Sequence, residues 1–230
     1  MLKHKYLHER VCHVLTLNDY ACCMKNILKL IACCIIIAAC SEKNDNKDTI
    51  NFKKIKDYNL VSMLIEIPAG TLEKWEYNPN TKLIERDTKN GKARTIHYLG
   101  YPANYGIILN TFSSIEEGGD GDPLDVFLLG HPVDKGVIKE VKIIGYIEML
   151  DEQKTDNKFI AVSNDDNLFW NINDVSELQT EYPELIQIIK VWLKNYKGSD
   201  SSVVLKDVLN AEIAKSTILK SLTNKSKPCR

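Results

Sequence analysis

The run Gly119-Asp120-Gly121-Asp122-Pro123-Leu124-Asp125 sets three carboxylates within six residues, beside the apolar run Val126 to Leu129. Asp, Gly and Pro favour turns for local reasons, so the run alone reads equally as turn chemistry. Three carboxylates gathered at one strand end repel one another, however, and their pKa values rise unless cations neutralise them. Hard divalent ions bound through oxygen, magnesium above all, are the natural partners. The twelve-residue ligand pattern and terminal Glu of a calcium-binding EF-hand are missing. A second acidic group, Asp151, Glu152 and Asp156, precedes Lys158. By itself it is a solvated loop between two β-type runs.

The elements that must position these groups are mostly short strands. VSMLIEIP from Val61, KWEYN from Lys74 and KLIERD from Lys82 are β-rich runs, with turns at Asn78-Pro79-Asn80 and Asn90-Gly91 between and after them. Further β-type runs at Asp125–Leu129, Val137–Met149 and Lys158–Val162 are separated by Gly, Asp or Pro clusters. Many short strands predict a small barrel. Helical periodicity comes late. Pro183 is expected in a first turn, with Leu185, Ile189, Trp192 and Tyr196 on one face and Gly198 as the stop. A second helix is expected from about Leu205 to Leu222.

Five pieces of the chain, in order, resemble the family I soluble inorganic pyrophosphatases. They are EIPAGTLEKWEY at Glu66–Tyr77, YPANYG at Tyr101–Gly106, DGDPLD at Asp120–Asp125, the Asp151, Asp156 and Lys158 spacing, and Tyr196-Lys197. The resemblance implies an α+β fold, mainly β with flanking helices, built on a five-stranded OB-like barrel. It implies hydrolysis of pyrophosphate to two phosphates by a magnesium-activated water, without a covalent intermediate. Several Mg2+ ions per site would serve, with Mn2+ or Zn2+ as substitutes, and the substrate would be the magnesium complex. It further implies a homo-oligomer.

By the same resemblance, Asp120, Asp125, Asp151 and Asp156 would be metal ligands, Asp125 bridging two ions. Asp122 would be the general base. Lys74, Arg94, Tyr105, Lys158, Tyr196 and Lys197 fall on phosphate-binding positions, which fits a compact polyanion that needs cations and donors on one side and metals on the other. Arg86 competes with Arg94 for its place. Glu66 and Glu76 fall where carboxylates orient bound water, although each also suits an outward position on a strand. Trp75 stands where Tyr is frequent in the family, and Ala93 where an acidic residue often precedes the arginine.

The start of the chain has a different character. From Met24 the sequence reads MKNILKLIACCIIIAAC: cationic Lys25 and Lys29, an apolar stretch, then small residues before Cys40. This is the shape of a secretory signal peptide, too short for a comfortable membrane span. IAAC at Ile37–Cys40 resembles the lipobox of bacterial lipoproteins, which implies a lipid anchor on Cys40. Residues 1–40 are therefore expected to be a lipoprotein signal peptide, with residues 1–23 a start-site artefact. Residues 41–50 would be a tether and 51–230 the pyrophosphatase domain. The protein would sit outside the cytoplasm on the periplasmic side of a bacterial membrane, or in the cytoplasm if the signal is unused.

Charge and cysteines exclude other classes. Residues 1–40 hold five Lys and Arg against two Asp and Glu, leaving 25 against 29 in the remainder. An acidic domain argues against a nucleic-acid partner. Six of the seven cysteines precede Ser41, so no disulfide framework staples the domain, and their spacing does not suit zinc. The rival to an enzyme is a lipid-anchored protein that captures phosphate compounds without turnover.

Overall fold

A computed structural model of the protein describes residues 60–165, 168–198 and 202–224. The signal segment, Cys40 and the tether lie outside the described residues. The order is β1 (Leu60–Ile67), β2 (Trp75–Asn78), β3 (Leu83–Arg86), β4 (Thr88–Lys89), β5 (Lys92–Ala93), β6 (Asn104–Ile108), a 3-10 turn (Ile115–Glu117), β7 (Asp125–Leu128), β8 (Ile138–Asp151), β9 (Lys154–Thr155) and β10 (Lys158–Val162). Helices α1 (Val175–Glu181) and α2 (Leu185–Asn195), strand β11 (Val204–Asn210) and helix α3 (Ala211–Asn224) follow.

The main sheet pairs in the order β1-β6-β7-β10-β8, and β8 pairs again with β1, so the ladder returns to its first strand. These five strands are the barrel that the resemblance implied; β9 and β11 add to β8. β8 serves several partners by its length. Its first residues pair with β1, its middle with β10 and its end with β11. Gly145 lies where the register with β10 shifts and β11 passes close: a Cβ there would sit 2.5 Å from the Leu209 carbonyl oxygen. A side chain at this point would push the added strand off the sheet.

Alternate residues on β7 and β10 divide between two apolar clusters. Val126, Leu128, Phe159 and Ala161 pack with Ala214 and Ile218 of α3. Phe127, Leu129, Ile160 and Val162 pack with Leu178 of α1 and Ile186, Ile189, Trp192 and Leu193 of α2. Strands buried on both faces read as continuous apolar runs, which is what FIAV and VFLL are. The Asn90-Gly91 hairpin forms as expected, both residues at positive φ (54° and 73°) between β4 and β5.

Two expectations about the helices need correction. Pro183 is not in a first turn: α1 ends at Glu181, Glu184 caps α2 in the left-handed region at φ 67°, and the helix begins at Leu185. Residues 204–210 form a strand rather than the opening of a long helix. Leu205 and Leu209 have helical spacing, but pairing with β8 satisfies this backbone instead, and Asn210 then caps α3 by accepting from the Ile213 amide at 3.0 Å. Among the described residues no helix is long and apolar enough to cross a membrane.

Candidate active site

β7 and β10 run parallel with Asp125 opposite Lys158, so backbone register alone puts a carboxylate beside an ammonium at the end of the barrel. The loop that delivers Asp125 is tightly held. The Asp122 amide donates to Asp120 Oδ1 at 3.0 Å, the Ser113 amide to the Asp122 carbonyl at 2.8 Å, and the Leu124 amide to Thr111 Oγ1 at 2.9 Å. Asp151 closes β8, and Glu152 and Gln153, both at positive φ, turn the chain into β9. The Thr155 amide donates to the Gly118 carbonyl at 2.8 Å, which ties the two acidic loops together.

One cleft of about 280 Å³ is lined by every residue assigned a site role from the sequence, apart from Cys40. Its carboxylates are Asp120, Asp122, Asp125, Asp151 and Asp156, joined by Glu66 from β1 and Glu76 from β2. Lys74, Arg94, Tyr105, Lys158, Tyr196 and Lys197 supply the donors. Arg86 is absent from the lining; its guanidinium lies 5.4 Å over the Trp75 ring and donates to Thr95 Oγ1 at 2.9 Å. Arg94, its competitor for that place, lines the cleft.

Lys158, only 3% exposed, donates to Asp125 at 2.5 Å and to Asp156. Burial works against its charge, but the two carboxylates outweigh that and hold its pKa above the usual lysine range. Burial raises Asp156, Lys158 opposes the rise, and Asp125 adds to it. Asp122 is raised by partial burial and then by Asp120, Asp125 and Glu76. Glu66 is 4% exposed and accepts from the Tyr77 amide at 2.6 Å, yet burial pushes its pKa up to about 8. At the other side, Lys197 and Ser202 both donate to Asp151, and despite burial they hold its carboxyl below the ordinary range.

No three Asp, Glu, His or Cys side chains among the described residues form a ready-made metal cage. Lys158 stands between Asp125 and Asp156 instead. The cleft nevertheless sets seven carboxylates against four cationic side chains, and three of those carboxylates are pushed upward in pKa. An oxygen-only donor set with surplus negative charge fits hard divalent cations.

Two features went unassigned from the sequence. Asp87 lies behind the cations: its Oδ2 accepts from Arg94 at 2.5 Å and from Lys74 at 3.1 Å. Burial notwithstanding, those two partners hold its carboxyl below the usual range. Ala93 leaves the position before the arginine without an acid, and Asp87 supplies one from across the β4–β5 hairpin. Spacing along the chain hides this; the Asn90-Gly91 turn was the available signal. Tyr101 also lines the cleft, 3% exposed, its ring 5.3 Å from Tyr105 and 4.6 Å from Trp192. It opens the YPANYG motif, four residues before Tyr105.

Comparison with known proteins bears on the whole of this arrangement. The family model for inorganic pyrophosphatase matches residues 63–226. An inorganic pyrophosphatase of Candida albicans is 33% identical over 159 residues, covering 63% of this chain and 55% of that one. The chain thus spans about half the length of the curated relatives it matches. The solved inorganic pyrophosphatase of Schistosoma japonicum aligns with a TM-score of 0.68 at 28% identity, covering 73% of this chain and 66% of that chain. That of Thermus thermophilus aligns at 0.63 and 27%, covering 75% and 94%. A match that takes in β1, both acidic loops and the Tyr196-Lys197 end of α2 embraces the entire cleft, and the chain belongs to the inorganic pyrophosphatase family.

Proposed function

We propose that the chain hydrolyses inorganic pyrophosphate to two phosphates. The observation that carries this reading is one small cleft in which seven carboxylates and four cationic side chains are gathered and paired with one another. Pyrophosphate needs both at once, because its charge must be met by donors while water attacks one phosphorus. Asp120, Asp125, Asp151 and Asp156 would hold the divalent cations, with magnesium the ion their oxygen donors suit best. When bound, such ions neutralise substrate charge and make water a better nucleophile at neutral pH.

The protein's own groups do the rest. Lys74 and Arg94, anchored by Asp87, face the leaving phosphate and meet the charge it develops as the bridging P–O bond breaks. Tyr105, Tyr196 and Lys197 hold the other phosphate in line with the attacking water, and Lys158, paired here with Asp125 and Asp156, would add its charge if a cation took over those carboxylates. Asp122 accepts the proton that the water loses as its P–O bond forms. Its raised pKa brings it nearer neutrality than an ordinary carboxylate, which suits a base. Glu66 and Glu76 would orient water around such ions. Asp122→Asn keeps the shape and removes the base, so phosphate release should fall by about 10²–10⁴-fold. Activity within twofold of wild type would remove Asp122 from this role.

We also propose that Cys40 is lipidated, which would hold the protein at the outer side of a membrane, and that the chain self-associates. The lipobox-like IAAC supports the first. Mass spectrometry of the native protein should find Cys40 acylated and N-terminal. An unmodified peptide spanning Cys40 would end that proposal.

A further inference from the structure

The segment that carries Lys74 and Glu76 stands outside the barrel. β2 and β3 pair only with each other, as an arm separate from the main sheet. Lys74 and Glu76 line the cleft, and the alternation of an extended chain puts Trp75, between them, on the other face. The arm is bonded to the β4–β5 hairpin: the Lys74 amide donates to the Arg94 carbonyl at 3.2 Å, and the Asp87 amide to the Lys74 carbonyl at 3.1 Å. Toward the barrel the Tyr77 amide donates to Glu66 of β1. Where Lys74 and Glu76 stand relative to the aspartates therefore depends on what else fastens the arm.

Trp75 supplies that fastening. It is half-buried against the apolar cluster that includes Ile67 and Phe127. The Lys135 ammonium lies 3.0 Å from the centroid of its ring. Lys135 is exposed, and among the described residues it has no ion-pair partner. The loop that carries it, between β7 and β8, is bound to the barrel: the Gly136 amide donates to the Ile65 carbonyl at 2.8 Å, and the Ile65 amide to the Val137 carbonyl at 2.9 Å. Two residues earlier, the Val133 amide donates to the fully buried Asn104 Oδ1 at 2.7 Å. From within the arm, Arg86 is the cross-strand partner of Trp75 and lies over the same ring, its buried Nε without a hydrogen-bond acceptor. Indole is the strongest of the side-chain rings in attracting a cation. That gives a physical meaning to a tryptophan standing where tyrosine is frequent.

We infer that Trp75 and Lys135 are positioning residues: the Lys135 ammonium on the Trp75 indole clamps the β2–β3 arm to the barrel and so sets where Lys74 and Glu76 stand in the cleft. This deepens the proposed hydrolysis and rests on it. Neither residue lines the cleft, so both act through their neighbours. Lys74 meets charge that develops on the leaving phosphate, whereas several other donors share the binding of substrate. An arm that drifts should therefore cost kcat more than KM.

The test is phosphate release from magnesium pyrophosphate by the full chain, well below its Tm, for wild type and four variants. Lys135→Met keeps the side-chain stem and removes the charge. It should lower kcat about three- to fivefold, the factor that one exposed cation–π contact is worth, with KM within twofold of wild type. Lys135→Arg restores a cation and should recover kcat to within twofold. Trp75→Leu should lower kcat about tenfold, because apolar contact is lost as well. Adding Lys135→Met to Trp75→Leu should then change kcat by less than twofold, since the charge acts through the ring. With fluorotryptophan in the chain, the fluorine resonance missing from Trp75→Leu should shift in Lys135→Met. If wild type releases no phosphate, the hydrolysis reading fails and this inference with it. If wild type is active and Lys135→Met keeps kcat within twofold, this inference alone is overturned, and a lowered Tm would leave the clamp a purely structural role. Multiplicative losses in the double variant, or a Trp75 resonance that Lys135→Met does not move, would overturn it too.

Discussion

At the scale of single residues, the cleft is a set of charges that other charges keep in place. Asp87 is the clearest case, since one carboxylate oxygen accepts from both Lys74 and Arg94. Two cations brought side by side repel each other, and Asp87 lets Lys74 and Arg94 converge. Asp87→Asn should lower kcat/KM by about 10–100-fold through misplaced donors, with little change in Tm, and Asp87→Glu should recover part of the loss. An unchanged kcat/KM in Asp87→Asn would show that Lys74 and Arg94 are positioned without it. Individual site residues were legible in the sequence because they sit in short contiguous motifs. DGDPLD carries Asp120, Asp122 and Asp125 together, and Tyr196-Lys197 are adjacent. Asp87 was not legible, because its partners become neighbours only after the hairpin closes. The pairing of Lys158 with Asp125 was equally hidden, since it follows from parallel register between two strands distant in the chain.

Secondary-structure elements show the same division between local and tertiary information. β7 and β10 lie where continuous apolar runs predict them, and the Asn90-Gly91 turn is where its residue types demand. β11 is the opposite case: its leucines have helical spacing, and only the open edge of β8 makes it a strand. Asp174 joins two helices that are far apart in sequence. Oδ1 accepts from the Ser176 amide in the first turn of α1, and Oδ2 accepts from the Ala211 amide that opens α3, both at 2.9 Å. Burial opposes its charge, but these donors win and lower its pKa. A carboxyl depressed by folding stabilises the protein above its unfolded pKa, and that stability fades as pH falls through the folded value. Asp174→Ala should therefore cost about 1–2 kcal/mol at pH 7, a Tm drop of roughly 4 °C for a domain of this size. The difference from wild type should hold from about pH 5 to 8 and shrink below about pH 4. A Tm difference that persists unchanged at pH 3 would mean that the carboxylate charge is not what caps these helices.

For the whole molecule, the barrel matters mainly as a frame. Its closed ladder brings β1, β7 and β10 to one end, where motifs scattered from Glu66 to Lys197 meet in a single cleft. The central claim concerns the cleft and is tested most directly by phosphate release from pyrophosphate by the full chain, with magnesium and then with excess chelator. The predicted result is steady release with magnesium at one to about a thousand turnovers per second, abolished by chelator and restored when magnesium is added back. Binding of magnesium pyrophosphate without release of phosphate would contradict it and make the protein a capture protein on an enzyme's frame.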